Sequence, residues 1–73
     1  MTLTLNLLVR GLKSEDGDVL RQALAYVSTK DDATKTAVAL LKSDPKAREQ
    51  FPEERQLVGY LRGLGAAAVR GGR

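Results

Sequence analysis

The chain has 73 residues, of which 42% are apolar, 12 are basic and 9 are acidic, for a formal charge of +3. That length makes one small domain, and the absence of Cys and His excludes disulfides, thiolate or imidazole metal sites, and Ser-His-Asp or Cys-His catalysis. The charge-free stretch Met1 to Val9 is far shorter than the roughly 20 residues of a membrane span and lacks the basic lead-in of a secretory signal, so no segment is expected to enter a bilayer.

Chains of about 60 residues bury only about 60% of their unfolded surface, so disulfides, metal, partners or very regular packing must add to a small core. Only three residues are aromatic, Tyr26, Phe51 and Tyr60. A core of Leu and Val with few large anchors is therefore expected, with marginal monomer stability or self-association as its consequence.

Between Thr2 and Leu12 two periods compete. Leu5, Leu8, Val9 and Leu12 fall at i, i+3, i+4 and i+7, while Leu3, Leu5, Leu7 and Val9 alternate with Thr4 and Asn6, so a helix and a strand both fit. Helix is preferred because no other segment offers a β-run to pair with, and a lone strand needs a second chain. Gly11 reads as a C-terminal break. Lys13 to Asp18 is a polar loop whose Glu15, Asp16 and Asp18 cap and charge the start of a second helix over about 18–27. Leu20, Leu24 and Val27, supported by Val19 and Ala23, form its expected buried face, with Arg21 and Gln22 outward.

Thr29-x-x-Asp32 is a capping-box variant ahead of a third helix, about 31–42, that carries Ala33, Ala37, Val38, Leu40 and Leu41. Ser43-Asp44-Pro45 repeats that logic, with Pro at the first helical position where its missing amide costs nothing. The short fourth helix ends near Phe51, because Pro52 disfavours helical geometry in the residue before it. Pro52-Glu53-Glu54 opens the last helix, whose Leu57, Leu61, Leu64 and Ala68 share one stripe. The expected fold is all-α: a compact bundle of four to five short helices in a single domain, residues 1–70, with a flexible basic tail at 71–73.

Two partial resemblances accompany this reading. Leu5-x-x-Leu8-x-x-x-Leu12 followed by Asp16-x-Asp18-Val19-x-Arg21-x-x-Leu24 resembles the helix pair of a HEAT-type repeat, with Leu40 to Pro45 echoing Leu12-Lys13-Ser14. The chain has room for about two such units where an array needs about three, and no function is carried over. If residues 3–9 are instead a strand, residues 2–42 resemble a ribbon-helix-helix DNA-binding dimer, in which an intermolecular ribbon would present Thr2, Thr4 and Asn6 to the major groove. The chain departs from that pattern in a long link from Val9 to Asp18 and in a ribbon with no Arg or Lys base reader.

Glu15-Asp16-Gly17-Asp18 lacks the alternating oxygen ligands and distal Glu of a calcium loop, so capping is its expected role, as it is for Asp31-Asp32. The last helix is more informative. At 100° per residue from Arg55, the apolar stripe falls near ~180–240°, whereas Arg62, Arg73 and Arg70 fall near ~340°, 0° and ~60°, with Gly59 at ~40° and Ala66 at ~20° between them and Gly63 beside them at ~80°. Each interior Gly costs a helix about 1 kcal/mol relative to Ala. A basic face that carries small residues is suited to close approach by an acidic surface, with Arg55, Arg62 and Arg70 as forked donors.

The expectation is a small non-enzymatic binding or assembly protein that docks on a macromolecular partner through Arg55, Gly59, Arg62, Gly63, Ala66 and Arg70. The partner is a protein or a second copy of the chain; the alternative is nucleic acid. No cofactor, metal, membrane or small-molecule substrate is expected, and the Cys-free composition suits a reducing cytoplasm.

Overall fold

Side chains placed just ahead of the helices decide where the first four begin. The computed structural model describes residues 3–71 and contains α1 (Leu5–Leu12), α2 (Gly17–Leu24), α3 (Lys30–Ser43), α4 (Pro45–Gln50) and α5 (Glu54–Gly71). Thr4, Asp16, Thr29 and Asp44 stand in extended geometry at the N-caps of α1 to α4, and their side-chain oxygens accept from the amides of Leu7, Asp18, Asp32 and Lys46. Each satisfies an amide that the helix itself cannot. At α5 the order is reversed: Gln56 Oε1 accepts from the Glu53 amide at 3.4 Å, the backward-reaching half of a capping box.

The described residues contain helices and no strand. Leu5 to Leu12 is helical, which overturns the ribbon alternative. Thr4 caps the helix, Leu5, Leu8 and Leu12 are buried, and Leu7, which an alternating strand would bury with Leu5, is exposed. Thr4 and Asn6 therefore belong to the start of a helix rather than to a DNA-reading ribbon, and Thr2 lies outside the described residues, as do residues 72 and 73 of the expected tail. Gly71 closes α5.

α3 and α5 share the most extensive contact, α1 packs on α2 and α5, and α4 packs on α3. Their common core holds Leu5, Leu8, Leu12, Ala23, Val27, Ala37, Leu40, Ala47, Leu57 and Leu61. Alanine, not valine, is the second component: Ala23, Ala33, Ala37 and Ala47 are buried, against Val27 alone among the valines. The expected face of α2 shifts accordingly. Ala23 and Val27 are buried, Leu20 and Leu24 are half-buried and Val19 is exposed, because neighbours cover only one flank of this short helix. α2 also ends at Leu24, and residues 25–27 continue in tighter turns, with Tyr26 and Val27 amides donating to Ala23 and Leu24 carbonyls. Gly11 is not a break but the penultimate residue of α1, seated against α2: a Cβ there would lie 2.8 Å from Ala23 Cβ.

α1 and α2 form the helix pair that the HEAT-type likeness implies, but α3, α4 and α5, with 14, 6 and 18 residues, do not repeat the 8-residue lengths of α1 and α2. Polar ties join the remaining elements. Thr36 is buried and donates through Oγ1 to the Tyr26 carbonyl at 2.9 Å, and Arg48 donates from Nε and Nη2 to the Leu41 carbonyl near the end of α3.

Asp44 has a second role. While Oδ1 accepts from the Lys46 amide at 3.1 Å, Oδ2 accepts from the Leu5 amide at 2.9 Å, so one buried carboxylate serves the N-termini of α4 and α1. Asp44→Ala is expected to lower unfolding free energy by about 2 kcal/mol or more, from a lost cap plus a buried unpaired amide. Asp44→Asn, with one acceptor oxygen where two are used, should fall between Ala and Asp in urea denaturation followed by far-UV dichroism. A wild-type midpoint for Asp44→Asn would show that one of the two bonds is dispensable.

Candidate functional site

The α5 helix reads as two faces because its buried positions recur at three and four residues. Leu57 and Leu61 are completely buried and Leu64 and Ala68 half-buried, the inward stripe expected from spacing. Arg55, Gly59, Arg62, Gly63, Ala66 and Arg70 are all exposed, so the six expected contact residues lie together on the solvent side of one helix. Arg73, which shares their helical direction, lies outside the described residues.

The six do not have equal standing. Arg55 Nε donates to Glu53 Oε2 at 2.7 Å, and this pair contributes little at such exposure. Its charge is partly answered by its own neighbour. No ion pair involves Arg62 or Arg70 among the described residues. A Cβ built on Gly59 or Gly63 meets nothing within 4 Å, so neither glycine is required by packing within the chain.

Gly65, which the sequence reading did not single out, is the α5 glycine that the fold needs. A Cβ there would come within 2.9 Å of Val27 Cγ2, because α5 passes against the turn that follows α2 at that point. Its signal was its place on the flank of the leucine stripe rather than on the arginine face. Beside this crossing lies an open cleft of about 430 Å³, with Leu24, Val27 and Ser28 on one wall and Arg62, Gly65, Ala66, Val69 and Arg70 on the other. Three expected contact residues, Arg62, Ala66 and Arg70, line it. Arg55, Gly59 and Gly63 do not. Val69, missed in the sequence reading, is 68% exposed and falls about 20° from Arg62 on the helical projection.

Two other surface features differ in character. A cleft of about 740 Å³ beside Asp44 is lined by Thr4, Asn6, Lys46 and Tyr60 among others, and its carboxylate is already occupied by two backbone amides. Along α1 and α2, Leu3, Leu7, Val19, Gln22 and Tyr26 border a shallow groove with no charged residue. Of the acidic clusters, Asp16 caps α2 through the Asp18 amide as expected, whereas the cap of α3 is Thr29 and the Asp32 carboxylate instead accepts from the Ser28 hydroxyl at 3.1 Å. Among the described residues no group of three or more potential ligating side chains could hold a metal ion, and no helix is long and apolar enough to cross a membrane.

The glycines provide a direct check. Gly59→Ala and Gly63→Ala should each raise unfolding free energy by about 0.5–1 kcal/mol through helix propensity. Gly11→Ala and Gly65→Ala should lower it by about 1 kcal/mol, because overpacking outweighs that gain. Equal gains at all four positions in urea denaturation would refute the tight crossings. Neither a family model, nor a curated protein, nor a solved structure matches this chain.

Proposed function

We propose that this chain is a small non-enzymatic binding or assembly protein that docks on a protein partner through the solvent face of α5. One observation carries the reading: α5 directs its leucines inward and leaves outside a cationic face bearing Arg62 and Arg70 and two glycines with open space above them. Glycine in an exposed helix interior costs stability and contributes nothing to this fold, which is understandable where another surface must approach the backbone. The guanidiniums favour an acidic surface and bind carboxylates in forked geometry.

A protein is favoured over nucleic acid on two counts. The face offers few cations, so phosphate binding would be weak and steeply salt-dependent. It also offers no aromatic ring for stacking: Tyr60 projects elsewhere on the helix and packs on Phe51, with ring centroids 4.9 Å apart. The absence of Cys is in keeping with a reducing cytoplasm as the place of action.

A second copy of the chain is the second reading, supported by the uncharged α1–α2 groove. Leu7, Val19 and Tyr26 are each more than 40% exposed there, and an uncharged patch can meet its own copy about a two-fold axis without like-charge repulsion. The Gln22 amide carries both donor and acceptor, so it can pair with its own copy.

Affinity capture from nuclease-treated extract, with the wild type and Gly59→Leu as baits, tests the main reading. A protein bound by the wild type should be lost with Gly59→Leu while far-UV dichroism is unchanged, since the added side chain meets no neighbour. Retention by Gly59→Leu would remove the close-approach argument. Sedimentation equilibrium tests the second reading: a mass above 7.9 kDa should return to the monomer value with Leu7→Glu, and a wild-type monomer at millimolar concentration overturns self-association.

A further inference from the structure

We infer that the cleft between α5 and the end of α2 receives an acidic amphipathic helix, which seats an apolar side chain over Ala66 and Val69 and places carboxylates on Arg62 and Arg70. The inference rests on the α5 docking reading and names the chemistry of the partner. Arg62 and Arg70 are eight residues apart on one helix, about 12 Å along its axis. Between them the surface is apolar: Ala66 is small, Val69 is the most exposed large apolar side chain described, and Leu24 and Val27 continue that surface on the opposite wall. A lone exposed valine requires no explanation. One set beside a cleft of about 430 Å³ and bracketed by two guanidiniums has the layout of a small binding site, with an apolar floor and a few placed polar groups.

Charge specifies the occupant further. From Arg55 to Gly71 the helix carries no carboxylate, whereas the opposite wall runs from Leu24 at the end of α2 into the following turn as far as Ser28, whose hydroxyl is held by Asp32. A ligand is therefore favoured to present negative charge to α5 and neutral, apolar groups to α2. A helix with Glu at i and i+7 and Leu at i+3 and i+4 meets both demands on one face. A phosphate backbone meets only the first, because it has no apolar side chain for the cleft.

Fluorescence anisotropy with a labelled peptide of that pattern tests the assignment on the full chain. Ala66→Trp fills the cleft from an exposed position and leaves every charge in place; Arg62→Glu with Arg70→Glu reverses the charges and leaves the cleft open. Each variant, and a Leu-to-Ser version of the peptide, should weaken binding about tenfold or more, the usual effect of losing an anchor, with wild-type far-UV dichroism retained. Weakening by charge reversal but not by Ala66→Trp or by the Ser peptide overturns the cleft assignment and leaves α5 docking standing. Indifference to both variants, or tighter binding of a duplex DNA of equal charge, overturns both. Absence of binding at about 1 mM peptide, weaker than ~4 kcal/mol of affinity, overturns the assignment, and the capture experiment then decides the docking reading by itself.

Discussion

The Asp44 carboxylate, 39 residues from Leu5 in sequence, joins the beginnings of α1 and α4, and the arrangement of the bundle depends on that junction. A helix of eight residues such as α1 has little stability by itself. It persists because Leu5, Leu8 and Leu12 are buried and because its first amides are answered by Thr4 and Asp44. The same carboxylate begins α4, so the position of α1 is tied to the α3–α4 corner and, through the shared core, to α5.

Small residues set the distances within this frame. Gly11 against Ala23 lets α1 approach α2, and Gly65 against Val27 lets α5 approach the turn after α2, more closely than side chains of ordinary size permit. With Ala23, Ala33, Ala37 and Ala47 buried beside the leucines, the core relies on close spacing more than on bulk. Of the five glycines with described surroundings, two are thus consumed by packing and two, Gly59 and Gly63, stay on the open face of α5. That division is what gives the outer face its distinct meaning.

Much of the architecture was legible in the order of residues because it is local. Asp16, Thr29 and Asp44 stand one residue ahead of a helix and cap it, Pro45 follows its cap, and the Leu57–Leu61–Leu64–Ala68 stripe faces inward as its spacing requires. The inward and outward sides of α5 followed from the same periodicity. What escaped is what depends on a second element. Nothing near Asp44 in sequence marks Leu5 as its other partner. Gly65 differs from Gly59 and Gly63 only by its direction on the helix, and that direction gains meaning once the turn after α2 lies beneath it. Val19 fits an apolar stripe as well as Ala23 does, but only one flank of α2 is covered. The two periods at residues 3–9 could not be separated by pattern alone; burial of Leu8 and exposure of Leu7 separate them.

The long-range bond between the Leu5 amide and Asp44 also bears on the order in which the molecule assembles. During synthesis the amide that opens α1 has no protein acceptor of this kind until residue 44 has been added, whereas the caps of α2 and α3 lie within three residues of the amides they serve. The Thr4 cap of α1 is equally local, so all of the first three helices can begin to turn early, but α1 lacks the second, long-range acceptor for its opening amide until the corner at Asp44 has been made.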